Sequence, residues 1–76
     1  MHVDILTPDN TLYSGEASIV TLPGVNGSFQ IMNLHAPLIS ALGNGNVIVD
    51  NGSEKLQFPV KGGIVEVVDN KVVILA

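Results

Sequence analysis

A chain of 76 residues without cysteine must draw any chemistry from histidine, carboxylate, serine, lysine or a backbone cradle built by glycine. His2 and His35 are its histidines, and neither has a carboxylate at a recognisable ligand spacing, so no metal is expected. Asp4, Asp9, Glu16, Asp50, Glu54, Glu66 and Asp69 fall mostly in turns or at strand ends. Acid–base catalysis needs two carboxyls held in one pocket with separated pKa values, and these read instead as solvated charges. Ser14, Ser18, Ser28, Ser40 and Ser53 lack the strained turn that presents a nucleophile, and the thiol route is closed. Gly24-Val25-Asn26-Gly27 and Gly43-Asn44-Gly45-Asn46 open no helix, so neither makes a phosphate cradle. Lys61, before Gly62-Gly63, has the turn context of a residue carrying a swinging prosthetic arm; the plainer reading is a solvated lysine at a strand end.

His35 sits in the most informative stretch, Gly27-Ser28-Phe29-Gln30-Ile31-Met32-Asn33-Leu34-His35-Ala36-Pro37, just ahead of the apolar pair Leu38-Ile39. Nothing around it resembles a catalytic set. Its ring is either satisfied by backbone at a strand entrance or offers a polar contact on a docking edge, and the two roles are compatible. Surface rather than pocket is the expectation.

Composition agrees. So short a chain is one domain, residues 1–76, and buries only ~60–65% of the surface exposed by its unfolded form. With no disulfides, burial against a partner is the ordinary route to added stability. Apolar residues make up 46% of the chain and charged ones 13%, about half the ~25% usual in soluble domains. That balance excludes disorder and suggests a surface partly covered in the working state. A net charge of −4, with three lysines and no arginine, leaves no footprint for nucleic acid or anionic lipid. No apolar run approaches the ~18–20 residues that span a bilayer, and Met1-His2-Val3-Asp4 does not start a signal peptide. Absent cysteines fit a reducing compartment, and a soluble intracellular protein is the default.

The elements that must position these residues are β. Val and Ile dominate, and Gly, Asn, Asp and Pro punctuate them. Leu56, Phe58 and Val60 alternate with polar residues, as Val3 and Ile5 do, which marks half-buried strands. Ile64 to Val68 and Lys71 to Leu75 are apolar at nearly every position, so they should be covered on both faces, or by a partner on one. Asp69-Asn70 is a two-residue hairpin turn, because both tolerate positive φ, and Asn51-Gly52 turns a wider loop with Asp50, Ser53 and Glu54. Pro8-Asp9-Asn10 turns the first strand. Pro23 to Gly27 breaks the run Ala17 to Leu22 from the next strand, and Gly62-Gly63 marks a bend or bulge of close backbone approach. Pro37 to Gly43 is too short for a stable helix and is assigned to strand. About eight to ten short strands at this spacing make an all-β sandwich or flattened barrel.

These residues resemble, essentially end to end, the N-terminal β-sandwich domain of the epsilon subunit of rotary F-type ATP synthases. His2-Val3-Asp4-Ile5-Leu6-Thr7-Pro8 looks like its first strand and Tyr13-Ser14-Gly15-Glu16 its aromatic-x-Gly step. Leu22 to Phe29 and His35-Ala36-Pro37-Leu38-Ile39 are similar to its most recognisable segment. Val60 to Val67 resembles its Ser-Gly-Gly-x-x-Glu-Val strand and Asn70 to Ala76 its last one.

The resemblance implies a flattened sandwich of two mostly antiparallel sheets and a noncatalytic role in the central rotor, without a cofactor of its own. It implies docking on the gamma subunit and on the c-ring, coupling proton- or sodium-driven rotation to ATP synthesis, peripherally at the cytoplasmic face of the cell membrane. Carried over residue by residue, the ring-facing positions are Asn26, Gly27, Ser28, Phe29, Gln30 and Met32. The gamma-facing ones are Thr7, His35, Pro37, Leu38, Ile39, Ser40 and Asn46. Many members have an acidic residue where Ser28 stands, Gly where Gln30 stands and Pro-Gly where Asn33-Leu34 stands, so packing or hydrogen bonding must replace a charged ring contact here. Members usually continue past the position of Ala76 into two helices; no helix-mediated inhibition or nucleotide binding is assigned to these residues. Two other classes compete: a lipoyl- or biotinyl-type carrier modified at Lys61, and a small ligand-binding β module. Val60 and Gly62 are not the Met or acidic neighbours such carriers place beside the lysine.

Overall fold

The computed structural model describes residues 1–76, with nine strands and no helix. β1 (His2–Leu6) turns into β2 (Thr11–Glu16) through Pro8-Asp9. The Thr7 amide donates to the Asn10 carbonyl (2.8 Å), and the Asn10 amide donates to Thr7 Oγ1 (3.0 Å). β3 (Ile19–Gly24) and β4 (Gly27–Met32) form a hairpin around Val25-Asn26. The strand therefore runs through Pro23-Gly24, where a break was expected. The ladder from β3 to β6 ends at Thr21–Ile48, so the donor that Pro23 lacks falls beyond it. β5 (Leu38–Leu42) occupies the segment weighed as a helix, followed by β6 (Gly45–Asp50), β7 (Lys55–Val60), β8 (Gly63–Val68) and β9 (Lys71–Leu75). The β8–β9 turn is the expected one, with Asp69 and Asn70 at φ 51° and 59°. Asn51 Oδ1 accepts from the amides of Ser53 and Glu54 (both 3.0 Å), which organises the β6–β7 loop.

Hydrogen-bonded neighbours run β2-β1-β9-β8-β5-β3-β6-β7, with β4 on β3. All pairs are antiparallel except β1 with β9. β5 meets β3 at one pair, Gly24–Leu42. That seam folds the path into two layers, β2-β1-β9-β8-β5 against β4-β3-β6-β7, the expected sandwich. Close approach decides Gly63: its φ is 133°, and a Cβ there would collide with the Leu75 carbonyl oxygen.

The core holds fifteen buried residues, all apolar. Val3, Ile5, Leu42, Val65, Val67, Val72 and Ile74 line one layer; Val20, Leu22, Ile31, Val47, Val49 and Val60 line the other. Each fully buried Val or Ile contributes roughly 1.5–3 kcal/mol. Tyr13 on edge strand β2 reaches Phe58 on edge strand β7, ring centroids 5.8 Å apart, and closes the open side.

Candidate docking surfaces

Strand alternation gives each layer one inner and one outer face. On the outer face of the first layer, register aligns Ala41, Ile64, Leu75 and Leu6 across β5, β8, β9 and β1. The next row is Ile39, Glu66, Val73, Asp4 and Ser14. Ile39 is 71% exposed, Leu75 53%, Ile64 49% and Val68 43%, so this is a contiguous apolar face open to solvent. The domain does not itself cover these strands on both faces: one side of β8 and β9 packs on the core and the other is open to solvent. Ile64, Glu66, Val68 and Leu75 were not named as contact residues from sequence. Their signal was there, in apolar residues at successive positions of strands that a single core cannot cover on both sides.

Two shallow clefts border this face. One is lined by Pro37, Leu38, Ile39, Glu66, Val67 and Val68, the other by Leu6, Thr7, Pro8, Leu75 and Ala76. Thr7, Pro37 and Ile39 thus frame one surface from two corners. His35 lies in the exposed connection between β4 and β5, where its Nδ1 donates to the Ala36 carbonyl at 2.7 Å, leaving the rest of the ring free. Leu38 and Ser40 alternate inward and are half-buried beneath the surface. Asn46 stands apart, on the outer face of the second layer, donating to Gln57 Oε1 (3.3 Å).

The other predicted set occupies the β3–β4 hairpin. Asn26 is at its tip, and Ser28, Gln30 and Met32 point outward from β4. Gly27 closes the turn opposite Gly24, and Phe29 alternates inward against the core. Gln30 Nε2 donates to Thr21 Oγ1 (3.2 Å). Thr21 and Gln30 line a third, more polar cleft with Ile19, Ile48, Asp50, Lys55 and Gln57. Asn46 therefore shares its face with Gln30 rather than with Ile39.

No three His, Asp and Glu side chains are placed to hold a metal ion. His2, Asp4 and Ser14 do meet on the first layer, although sequence left these charges solvated. Ser14 Oγ donates to Asp4 Oδ1 (2.6 Å), and His2 Nε2 lies 3.0 Å from the same oxygen. His2 Nδ1 is 3.4 Å from Glu16. The serine proton is thus directed at a carboxylate instead of an imidazole base, which makes a charge cluster and no nucleophile. The Ser14 hydrogen bond, helped by His2 and Lys71, holds the Asp4 carboxyl below its ordinary range against a smaller opposing effect of burial. Lys61 is exposed, but β7 pairs with β6 while β8 pairs with β5 and β9, so it does not sit on a hairpin tip.

Fold and surface together define a small all-β sandwich domain whose concavities are surface clefts. The chain matches, over residues 1–76, the family model described as the beta-sandwich domain of the ATP synthase Delta/Epsilon chain, and it belongs to that family. It is 42% identical to the ATP synthase epsilon chain of Salinibacter ruber, a match covering 97% of this chain and 56% of that one. Against the ATP synthase epsilon chain of Chlorobium limicola identity is 42%, covering 96% and 84%. The chain spans about half the length of several such relatives, 52% for that of Maridesulfovibrio salexigens. Among solved structures, a chain from the central stalk and c-ring of the Tetrahymena thermophila mitochondrial ATP synthase superposes with TM-score 0.83 at 25% identity, covering 97% of this chain and 60% of that chain. A chain of the Euglena gracilis mitochondrial ATP synthase shares the fold, with TM-score 0.88 at 22% identity, over 97% and 48%.

Proposed function

We propose that this domain is the noncatalytic coupling module of a rotary ATP synthase central stalk. It docks on the gamma subunit with the outer face of its first layer and touches the c-ring with the β3–β4 hairpin. The observation that carries this reading is the open apolar face across β5, β8, β9 and β1. The gamma-facing contacts are Thr7, His35, Pro37 and Ile39, with Leu38 and Ser40 supporting them from beneath. Asn26, Gly27, Ser28, Gln30 and Met32 meet the polar ring loops by hydrogen bonding and packing; Phe29 anchors the hairpin, and Asn46 adds to that side. Its place in the cell is peripheral, at the cytoplasmic face of the membrane through the assembled complex.

An interface of standard size covers about 800 Å² per partner, a large share of the 4432 Å² this domain exposes. Titration with purified gamma subunit should therefore give a stoichiometric complex with a higher melting temperature than the free domain. Failure of wild-type protein to shift at any gamma concentration removes the reading.

A further inference from the structure

On the first layer's outer face, charge gathers on β1, β2 and Lys71 of β9, and one carboxylate, Glu66, stands among the apolar residues of β5 and β8. Glu66 alternates with buried Val65 and Val67 on β8, so its carboxylate emerges on the open side. Its cross-strand neighbours are Ile39 and Val73, and the exposed Ile64 and Val68 lie two positions away along its own strand. It also lines the cleft otherwise walled mostly by Pro37, Leu38, Val67 and Val68. The chain's ion pairs gather on His2, Asp4, Glu16 and the Met1 nitrogen, and none reaches Glu66.

A carboxylate at the centre of a covered apolar face loses its water on docking, and an uncompensated buried charge opposes binding strongly. A partner that seats well there must bring a cation. Across the molecule, the outer face of the second layer balances its own charges, with Asp50 directly opposite Lys55. The first layer carries Asp4, Glu16 and Glu66 against His2 and Lys71; Lys71 lies diagonal to Glu66, opposite Val68, and makes no ion pair with it.

We propose that the Pro37–Ile39–Glu66–Val68 cleft is a socket for one lysine or arginine of the gamma subunit. Its methylene stem lies along Ile39 and Val68 while its charged head pairs with Glu66. This rests on the gamma-docking reading and adds to it a specific charged contact. Arginine suits the site better, because its planar fork holds a carboxylate through two hydrogen bonds and sheds water more readily. The pair selects orientation as well as partner, since a docked surface rotated or shifted by one strand would leave both charges unpaired.

The test is the affinity of purified gamma for wild type, Glu66→Gln, Glu66→Lys and Ile39→Ala, alongside melting of each free domain. Glu66→Gln should melt within a degree or two of wild type, because Glu66 has no partner in the free chain, yet bind gamma about tenfold more weakly. Glu66→Lys should bind about 100-fold more weakly, and reversing one basic gamma residue to Glu should restore much of that loss. The socket is overturned if Ile39→Ala weakens the complex while both Glu66 variants bind within about twofold of wild type. No complex with wild type removes the gamma reading itself, and the socket with it.

Discussion

At the scale of single residues, the telling site is Asp4, whose carboxyl accepts from Ser14 and His2 at once. A carboxylate with a lowered folded-state pKa stabilises the fold at pH values above its unfolded pKa. That contribution fades as pH falls through the lowered folded-state value. Ser14→Ala removes the largest cause of the lowering. The variant should be less stable than wild type at neutral pH by a few tenths to about 1 kcal/mol, the range for an exposed charged contact. Urea melts at descending pH should bring the two curves together once Asp4 is protonated in both. A constant gap down to the lowest pH would assign the effect to packing. Period-two spacing already put His2 and Asp4 on one face. Ser14 was not legible there, because its arrival depends on how β2 pairs with β1 across the turn.

Elements show how the chain meets conditions that local preference alone would refuse. The connection from β4 to β5 places Leu34 at φ 63°, a region costing a side-chain-bearing residue roughly 1–2 kcal/mol. It is held there by one tertiary and one local contact: the Leu34 amide donates to Asn70 Oδ1 (2.8 Å), and within the turn the His35 amide donates to the Met32 carbonyl (3.2 Å). Asn70 itself lies in the β8–β9 turn, so two distant turns are tied together. Leu34→Gly relieves the strain but loosens the unfolded chain, for a net gain of about 0.5–1 kcal/mol. Thermal melting should show the increase. Leu34 is 83% exposed, so its loss removes no core packing, and a lower melting temperature would mean that its side chain supports the fold. The turn at Asp69-Asn70 was legible from residue types. Strain at Leu34 was not legible from its residue type, since a leucine disfavours positive φ.

For the whole molecule, the division between core and open face is a division between two isoleucines. Ile74 is fully buried, and Ile39 is 71% exposed. Ile74→Ala should cost about 2–5 kcal/mol and unfold a substantial fraction of so small a domain. Ile39→Ala should leave stability within about 0.5 kcal/mol while weakening gamma binding about tenfold. Denaturation and binding measured on the same two proteins check the pair of outcomes. If Ile39→Ala proves as destabilising as Ile74→Ala, the first layer's outer face is part of the fold's own support.

Sequence alone determined the strand-rich class, most of the turns and the alternating core, because side-chain period and turn chemistry are local and each strand carries its own pattern. It also showed that β8 and β9 have more apolar surface than one core can absorb. Only the tertiary structure decided which side of those strands stays open, that Glu66 emerges there, and that Asn46 stands on the opposite layer from Ile39. Those outcomes depend on strand order and register, and a one-residue slip in pairing would exchange the two faces without changing a letter of the sequence.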